Sequence, residues 1–228
     1  MSRLLNFGLA IAMGALNYNL LSERVVAEAI APDLEMVDEY TIVGPTSFLT
    51  DYSPSNSDGT VNVVVEIPTG TVAKWEVSKS DGHLEWEMRD GRPRVVRYLG
   101  YPGNYGMIPQ SLLPSEMGGD GDPLDAIVLG PAVPRGSVVR VKLIGVLKLL
   151  DGGEQDDKLI AVMVDTPLYE VDSIAELEEQ FPGAAAIVET WFANYKGPGE
   201  IESLGYAERE EAQQILETAV NAYSANLN

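Results

Sequence analysis

Gly118-Gly119-Asp120-Gly121-Asp122-Pro123-Leu124-Asp125-Ala126-Ile127-Val128-Leu129 joins a turn-forming half to an apolar half. Gly, Asp and Pro mark a tight loop. Three carboxylates fall within six residues of one another. Such anions repel unless positive charge sits between them. The simplest source is a hard divalent cation, which prefers carboxylate oxygens. By itself Asp120-Gly-Asp122-Pro is weak evidence, because these are also ordinary turn residues. The calcium-binding EF-hand pattern fails, since Leu124 and Asp125 stand where it needs Asp or Asn and then Gly. An Asp-x-Asp nucleophile should follow a hydrophobic strand, but Met117-Gly118-Gly119 precedes this one. The chain has no Gly-Lys pair, hence no P-loop, and no Gly-x-Ser-x-Gly elbow.

Upstream lies a run of strands. Val61 to Ile67 is β-branched and ends at Pro68. Val72 to Val77 alternates, with Lys74 and Glu76 on one face and Trp75 and Val77 on the other. Leu84 to Met88 alternates again, Asp90-Gly91 signals a hairpin, and Arg94 to Leu99 reads as the returning strand. Tyr101-Pro102-Gly103-Asn104-Tyr105-Gly106 reads as a turn-rich loop. Downstream, Ser137 to Leu150 is a long strand interrupted at Gly145, Asp151 to Lys158 a polar loop, and Leu159 to Val164 a buried strand. The period then changes. Ile174, Leu177 and Phe181 suit a short helix, Ile187 to Tyr195 a longer one, and Ala212 to Tyr223 a last one. Many short strands followed by a few helices indicate an α+β, mainly β chain: an antiparallel β-barrel with helices packed outside it.

Composition narrows the function. The chain has 228 residues, 45% of them hydrophobic, enough for a real core. It has no cysteine and one histidine, His83, which excludes disulfides, thiolate zinc sites and multi-histidine zinc sites. The net charge of -20 repels nucleic acid and anionic membranes at long range. A phosphate substrate would be repelled too, unless cations reverse the field locally. Six of the fifteen basic residues lie between Lys74 and Arg97, and beyond Lys158 only Lys196 and Arg209 remain.

Three segments are expected. Residues 1–31 hold a short apolar run behind Arg3, with Ala27-Glu28-Ala29 or Ala29-Ile30-Ala31 as a small-x-small cleavage site. That pattern suits a signal peptide and export to the periplasm; the alternative is an amphipathic N-terminal helix and a cytoplasmic protein. Residues 32–60, rich in Pro, Ser, Asp and Gly, read as an irregular arm, and residues 61–228 as the domain that holds the motifs.

In combination the motifs are specific. Glu66, Lys74-x-Glu76, Tyr101 to Gly106, Asp120-x-Asp122-x-x-Asp125, Asp151-x4-Asp156-x-Lys158 and Trp191-Phe192-x-x-Tyr195-Lys196 follow one another in an order that resembles the soluble family I inorganic pyrophosphatases. The resemblance runs from about Val61 to Lys196. It implies a distorted five-stranded OB-type barrel and hydrolysis of diphosphate by direct attack of a metal-activated water. It implies several Mg2+ ions per site, with Mn2+ or a similar divalent able to substitute, and a homo-oligomer, dimeric or hexameric. By resemblance, Asp120, Asp125 and Asp156 hold the tight metal, Asp151 and Asp156 one that arrives with substrate, and Glu76, with Glu66 through water, an outer one. Asp122 matches the proton acceptor. Lys74, Arg94, Tyr105, Lys158, Tyr195 and Lys196 match the groups that grip the two phosphates, and Tyr101 lines the site. Arg97 is the alternative to Arg94, since loop length sets which one reaches.

Elementary chemistry agrees. Metal coordination lowers the pKa of water from about 15.7 to about 7. Cations offset the charge that grows on the leaving phosphate. Arg94 can bind phosphate bidentately, whereas the lysines act as point charges. Tyr195 could equally be core, Asp157 is expected to be solvated rather than a ligand, and Trp75, Trp86 and Trp191 are expected in the core. The rival readings are a broader metal-dependent nucleotide or polyphosphate hydrolase and a non-catalytic OB-type binding module. The latter would need a basic aromatic groove if it bound nucleic acid.

Overall fold

The computed structural model describes residues 29–226. The predicted leader therefore lies outside the described residues up to residue 28. Residues 29–31 run beside Arg135, with Ala31 N donating to the Arg135 carbonyl at 2.9 Å.

The arm ahead of residue 60 is not wholly irregular. It carries β1 (Glu35–Met36) and β2 (Thr41–Val43). The β-branched run forms β3 (Val61–Ile67), and the alternating segments form β4 (Trp75–Val77) and β5 (Leu84–Trp86). These make a four-stranded sheet in the order β1-β2-β5-β4. Trp75 faces Trp86 across β4 and β5, their rings stacked 5.5 Å apart. Asp90 and Gly91, both at positive φ, turn β6 (Met88–Arg89) into β7 (Arg92–Pro93). The returning strand expected over Arg94 to Leu99 does not form. Its backbone is shared between two neighbours: Arg94 N donates to Glu87, and Val96 N to Val72.

The larger sheet is built from β8 (Asn104–Met107), β9 (Asp125–Leu129), β10 (Val138–Asp151), β11 (Glu154–Gln155), β12 (Lys158–Met163) and β13 (Ile201–Glu208), together with β3. The second half of the expected Tyr101–Gly106 loop is thus strand β8. There Gly106 lies against the Val64 carbonyl, so closely that no side chain would fit. β3 pairs with β8, β8 with β9, β9 with β12, β12 with β10, and β10 back with β3. All these pairs are antiparallel except β9 with β12, which is parallel. The long strand β10 shifts register between Leu143 and Gly145, where the interruption was expected.

The helices are α1 (Ile174–Gln180), α2 (Ala184–Asn194) and α3 (Arg209–Asn226). Ser173 caps α1 by accepting from Glu176 N at 3.1 Å. α2 buries Ala185, Val188, Trp191 and Phe192 in a core shared with Ile127, Leu147 and Ile160 of the sheet. α3 packs Ala212 and Leu216 against a second core around Val141 and Val146. The fold is therefore α+β and mainly β. Among the described residues no helix is long and apolar enough to cross a membrane.

Trp191 ties α2 to the tyrosine segment. Its ring lies 4.4 Å from that of Tyr101 and 4.7 Å from that of Tyr195, and its Nε1 donates to the Leu99 carbonyl at 2.9 Å. Trp191→Ala should destabilise the fold by about 3–5 kcal/mol, read as a shift in the urea unfolding midpoint.

Candidate active site

One cavity of about 620 Å³ opens where the two sheets and the end of α2 meet. Each predicted site residue reaches it by a local rule. Alternation along β4 buries Trp75 and Val77 and turns Lys74 and Glu76 to the cavity, where they pair at 2.8 Å. Glu66, from β3, is buried behind them and accepts from Val77 N at 2.7 Å. Tyr105 projects from β8 and Tyr101 from the segment before it, their rings 5.3 Å apart. The first residues of the parallel pair β9 and β12 are Asp125 and Lys158. They stand side by side, and Lys158 Nζ touches both Asp125 and Asp156. Asp151 faces Lys196, which follows Tyr195 just beyond α2.

The aspartate loop is shaped by its small residues. Gly121 takes φ 90°, a conformation that favours glycine, although its neighbourhood is open. Asp122 N donates to Asp120 Oδ1 at 2.8 Å, closing a turn that separates these two carboxylates. Leu124 N donates to the buried Ser111 hydroxyl at 2.9 Å, which anchors the far end. The three aspartates are thereby placed differently. Asp120 and Asp122 lie on the exposed rim, and Asp125 is half-buried at the floor.

The structure thus brings all the predicted residues to one cavity: Asp120, Asp122, Asp125, Asp151, Asp156, Glu66, Glu76, Lys74, Arg94, Tyr105, Lys158, Tyr195 and Lys196, with Tyr101. Arg94 reaches it, whereas Arg97 is exposed and does not. Arg94 Nη1 donates to both Glu87 oxygens, at 2.9 and 2.6 Å. Tyr195 is both site and core, since it also stacks on Trp191.

Three further charged residues of the cavity carry no mark in the motifs: Lys79, Glu85 and Glu87. Lys79, in the turn after β4, reaches across to Asp122. Glu87, opposite Arg94, breaks the strand expected over Leu84 to Met88. Alternation from Glu85 could have flagged Glu87; nothing local marks Lys79. Asp157 corrects an expectation. Its side chain is only 10% exposed, it pairs with Lys148 at 2.7 Å, and it accepts from Leu149 N at 3.1 Å.

Burial pushes the Asp122 carboxyl up, against the Lys79 hydrogen bond and with help from Asp120 and Asp125. Asp125 is held below the usual carboxylate range: burial opposes this, but Lys158 and Lys74 prevail. Burial pushes Asp156 up, although Lys158 touches it. The same cause drives Glu66 up to about 8, outweighing Lys74. A carboxyl raised from 4.5 to about 8 holds its proton in the folded state longer than in the unfolded chain. It therefore subtracts stability as pH climbs through that window. In metal-free protein, Glu66→Gln should gain stability over wild type between pH 4.5 and about 8. Urea melts across that range check it; a difference flat with pH contradicts it.

The donor set suits a hard cation. Nine carboxylates and five cationic side chains line the cavity, with no thiolate or imidazole. Among the described residues no three carboxylates converge on one point. Instead the ammonium groups of Lys158, Lys196, Lys74 and Lys79 sit against them. A divalent cation entering the cavity would compete with these ammonium groups for the carboxylate oxygens.

A β-rich α+β body with an acid-lined, cation-paired cavity at the meeting of two sheets defines the class of protein. Comparison with known proteins makes the class specific. The family model for inorganic pyrophosphatase matches residues 63–224. The chain belongs to the inorganic pyrophosphatases, in their family I form. It is 36% identical to soluble inorganic pyrophosphatase 2 of Chlamydomonas reinhardtii over 76% of this chain and 86% of that one. It is 35% identical to the mitochondrial inorganic pyrophosphatase of Saccharomyces cerevisiae, over 70% of this chain and 57% of the relative. The inorganic pyrophosphatase structure from Schistosoma japonicum superposes with a TM-score of 0.74 at 27% identity, covering 81% of this chain and 75% of that one. The chain spans about half the length of several curated relatives it matches, including 48% of that from Caenorhabditis elegans and 47% of that from Drosophila melanogaster.

Proposed function

We propose that this chain hydrolyses inorganic diphosphate to two phosphates, using Mg2+ or a similar divalent cation. The observation that carries the reading is the cavity's charge pattern, nine carboxylates interleaved with five cations. Such a site repels a bare polyanion and accepts it only together with divalent cations. Asp120, Asp125 and Asp156 would hold one such ion, Asp151 with Asp156 a second, and Glu76 with Glu66 an outer one. Ions held there would supply a water of lowered pKa and neutralise phosphate oxygens.

The chain's own groups do the rest. Asp122 takes a proton from the attacking water at its carboxylate; its raised pKa brings it closer to that task. As the water oxygen bonds to one phosphorus, the bond between that phosphorus and the bridging oxygen breaks, and the bridging oxygen leaves with the other phosphate. Arg94 exchanges Glu87 for phosphate oxygens, which it can grip with two N–H groups. Lys74, Lys158 and Lys196 neutralise charge at fixed points. Tyr105 and Tyr195 donate hydroxyl hydrogen bonds, and burial keeps both phenols protonated.

The proposal extends to the architecture. The cycle β3-β8-β9-β12-β10 is read as a distorted five-stranded OB-type barrel, with one parallel pair, inside a catalytic unit over residues 61–228. Self-association into a homo-oligomer belongs to the same reading. An OB-type nucleic-acid module is disfavoured by the acidic cavity and the net charge of -20. Substrate range is tested by comparing phosphate release from diphosphate, tripolyphosphate and ATP under Mg2+. Diphosphate should be strongly preferred; equal rates on all three would favour the broader hydrolase.

A further inference from the structure

Behind the cavity lies a charged chain that the proposed chemistry does not use. β10 and β11 pair Leu150 with Gln155, and β10 and β12 pair Leu147 with Lys158. Continuing that register places Leu149 opposite Asp156 and Lys148 opposite Asp157. Cross-strand partners share a face. Asp151, Asp156 and Lys158 therefore point to the cavity, and Lys148, Gln155 and Asp157 to the back. Asp156 N donates to the Leu149 carbonyl at 2.9 Å, as a regular ladder requires. The reciprocal bond is diverted: Leu149 N donates to the Asp157 side chain at 3.1 Å. Asp157 also receives Gln155 Nε2 at 2.7 Å and pairs with Lys148 at 2.7 Å. Lys148 in turn pairs with Glu211, in the first turn of α3, at 2.9 Å. The Gln155 side chain fills the space against Gly118, where a Cβ would lie 2.4 Å from Oε1. Gly118 begins the loop that carries Asp120 and Asp122.

We propose that Asp157 is a positioning residue: through Leu149 N and Gln155 it sets the placement of Asp156 relative to the aspartate loop, and so the affinity for a divalent cation. The inference rests on the metal-binding reading of the cavity. It is tested by titrating Mn2+ into the purified full chain and reading free Mn2+ by electron paramagnetic resonance, with circular dichroism as the folding control. Asp157→Ala should weaken Mn2+ binding by about 10–100-fold. Asp157→Asn, whose Oδ1 still accepts from Leu149 N, should stay within about threefold of wild type. In turnover, the alanine variant should need more Mg2+ yet approach wild-type kcat at saturation, a split that general destabilisation does not produce. Wild-type binding with Asp157→Ala folded and equally tight overturns the positioning role alone. If Asp157→Ala does not fold, Gln155→Ala decides: weakening of about threefold to tenfold supports the role, and unchanged affinity overturns it. Wild-type protein that takes no Mn2+ overturns the metal reading and this inference with it.

Discussion

Asp122→Asn should lower the turnover of diphosphate by about 10²–10⁴-fold, the usual worth of a positioned proton acceptor, while leaving Mn2+ binding within a few-fold of wild type. The amide is nearly isosteric, and the turn that fixes the loop uses the backbone N–H of residue 122, not its side chain. What is lost is the basic oxygen. Asp122 is half-exposed and paired with Lys79, so neither a core nor a buried pair is broken. Because the Asp122 pKa is raised, the acid limb of the wild-type rate profile should lie above the ordinary carboxylate value of 3.8, and the variant should lose that limb. Steady-state phosphate release against pH, beside a Mn2+ titration, measures both. A variant within tenfold of wild-type turnover would remove Asp122 from the proton-transfer role.

Lys158→Met should have the second large effect, on stability and activity together. The lysine side chain is 5% exposed and its ammonium touches Asp125 and Asp156. Removing it leaves two half-buried carboxylates facing one another. Breaking such a pair from one side costs about 3–5 kcal/mol. Loss of a cationic group that stabilises the leaving phosphate should lower kcat by a further factor of about 10²–10³. The pH dependence has a defined sign. Asp125 is held below its ordinary value of 3.8, so its contribution is present above that value and is lost as pH falls through the depressed one. Lys158 is raised above 10.5, so its contribution is present below that value. The deficit of the variant should therefore be greatest between about pH 4 and 10 and shrink in acid, as the carboxylates protonate. Mg2+ should restore part of it, since a divalent ion can replace the missing charge. Denaturant melts with EDTA and with Mg2+ measure this; a deficit insensitive to pH and metal would mean that lost packing, not charge, explains it.

Much of this was readable in the chain because it rests on short-range periodicity. Alternation at Lys74-Trp75-Glu76-Val77 placed two charges on the cavity face, and the 3.6-residue spacing of Val188, Trp191, Phe192 and Tyr195 placed α2, although Ile187, expected on the same face, is exposed. What escaped depends on distant partners. β13 has a weak pattern, with Gly205 at φ 84° in its middle, and exists because β10 offers it an edge. β9 and β12 are parallel because the chain crosses over between them, which no local signal records. Arg135 is 2% exposed, stacked on Trp75 and donating to the Glu66 carbonyl. It reads in the sequence as one more surface cation. Lys79 and Asp157 were missed or misread for the same reason: each is defined by a partner on another segment. The carboxylates of the cavity were legible because their spacing is itself unusual, three within six residues at Asp120 to Asp125.

The central claim is tested most directly by stripping the purified protein with EDTA, supplying diphosphate, and titrating Mg2+ while phosphate is measured. Two phosphates should appear for each diphosphate consumed, with a rate that rises from background as Mg2+ is added. No phosphate at any Mg2+ concentration, from protein shown to be folded, would contradict the account.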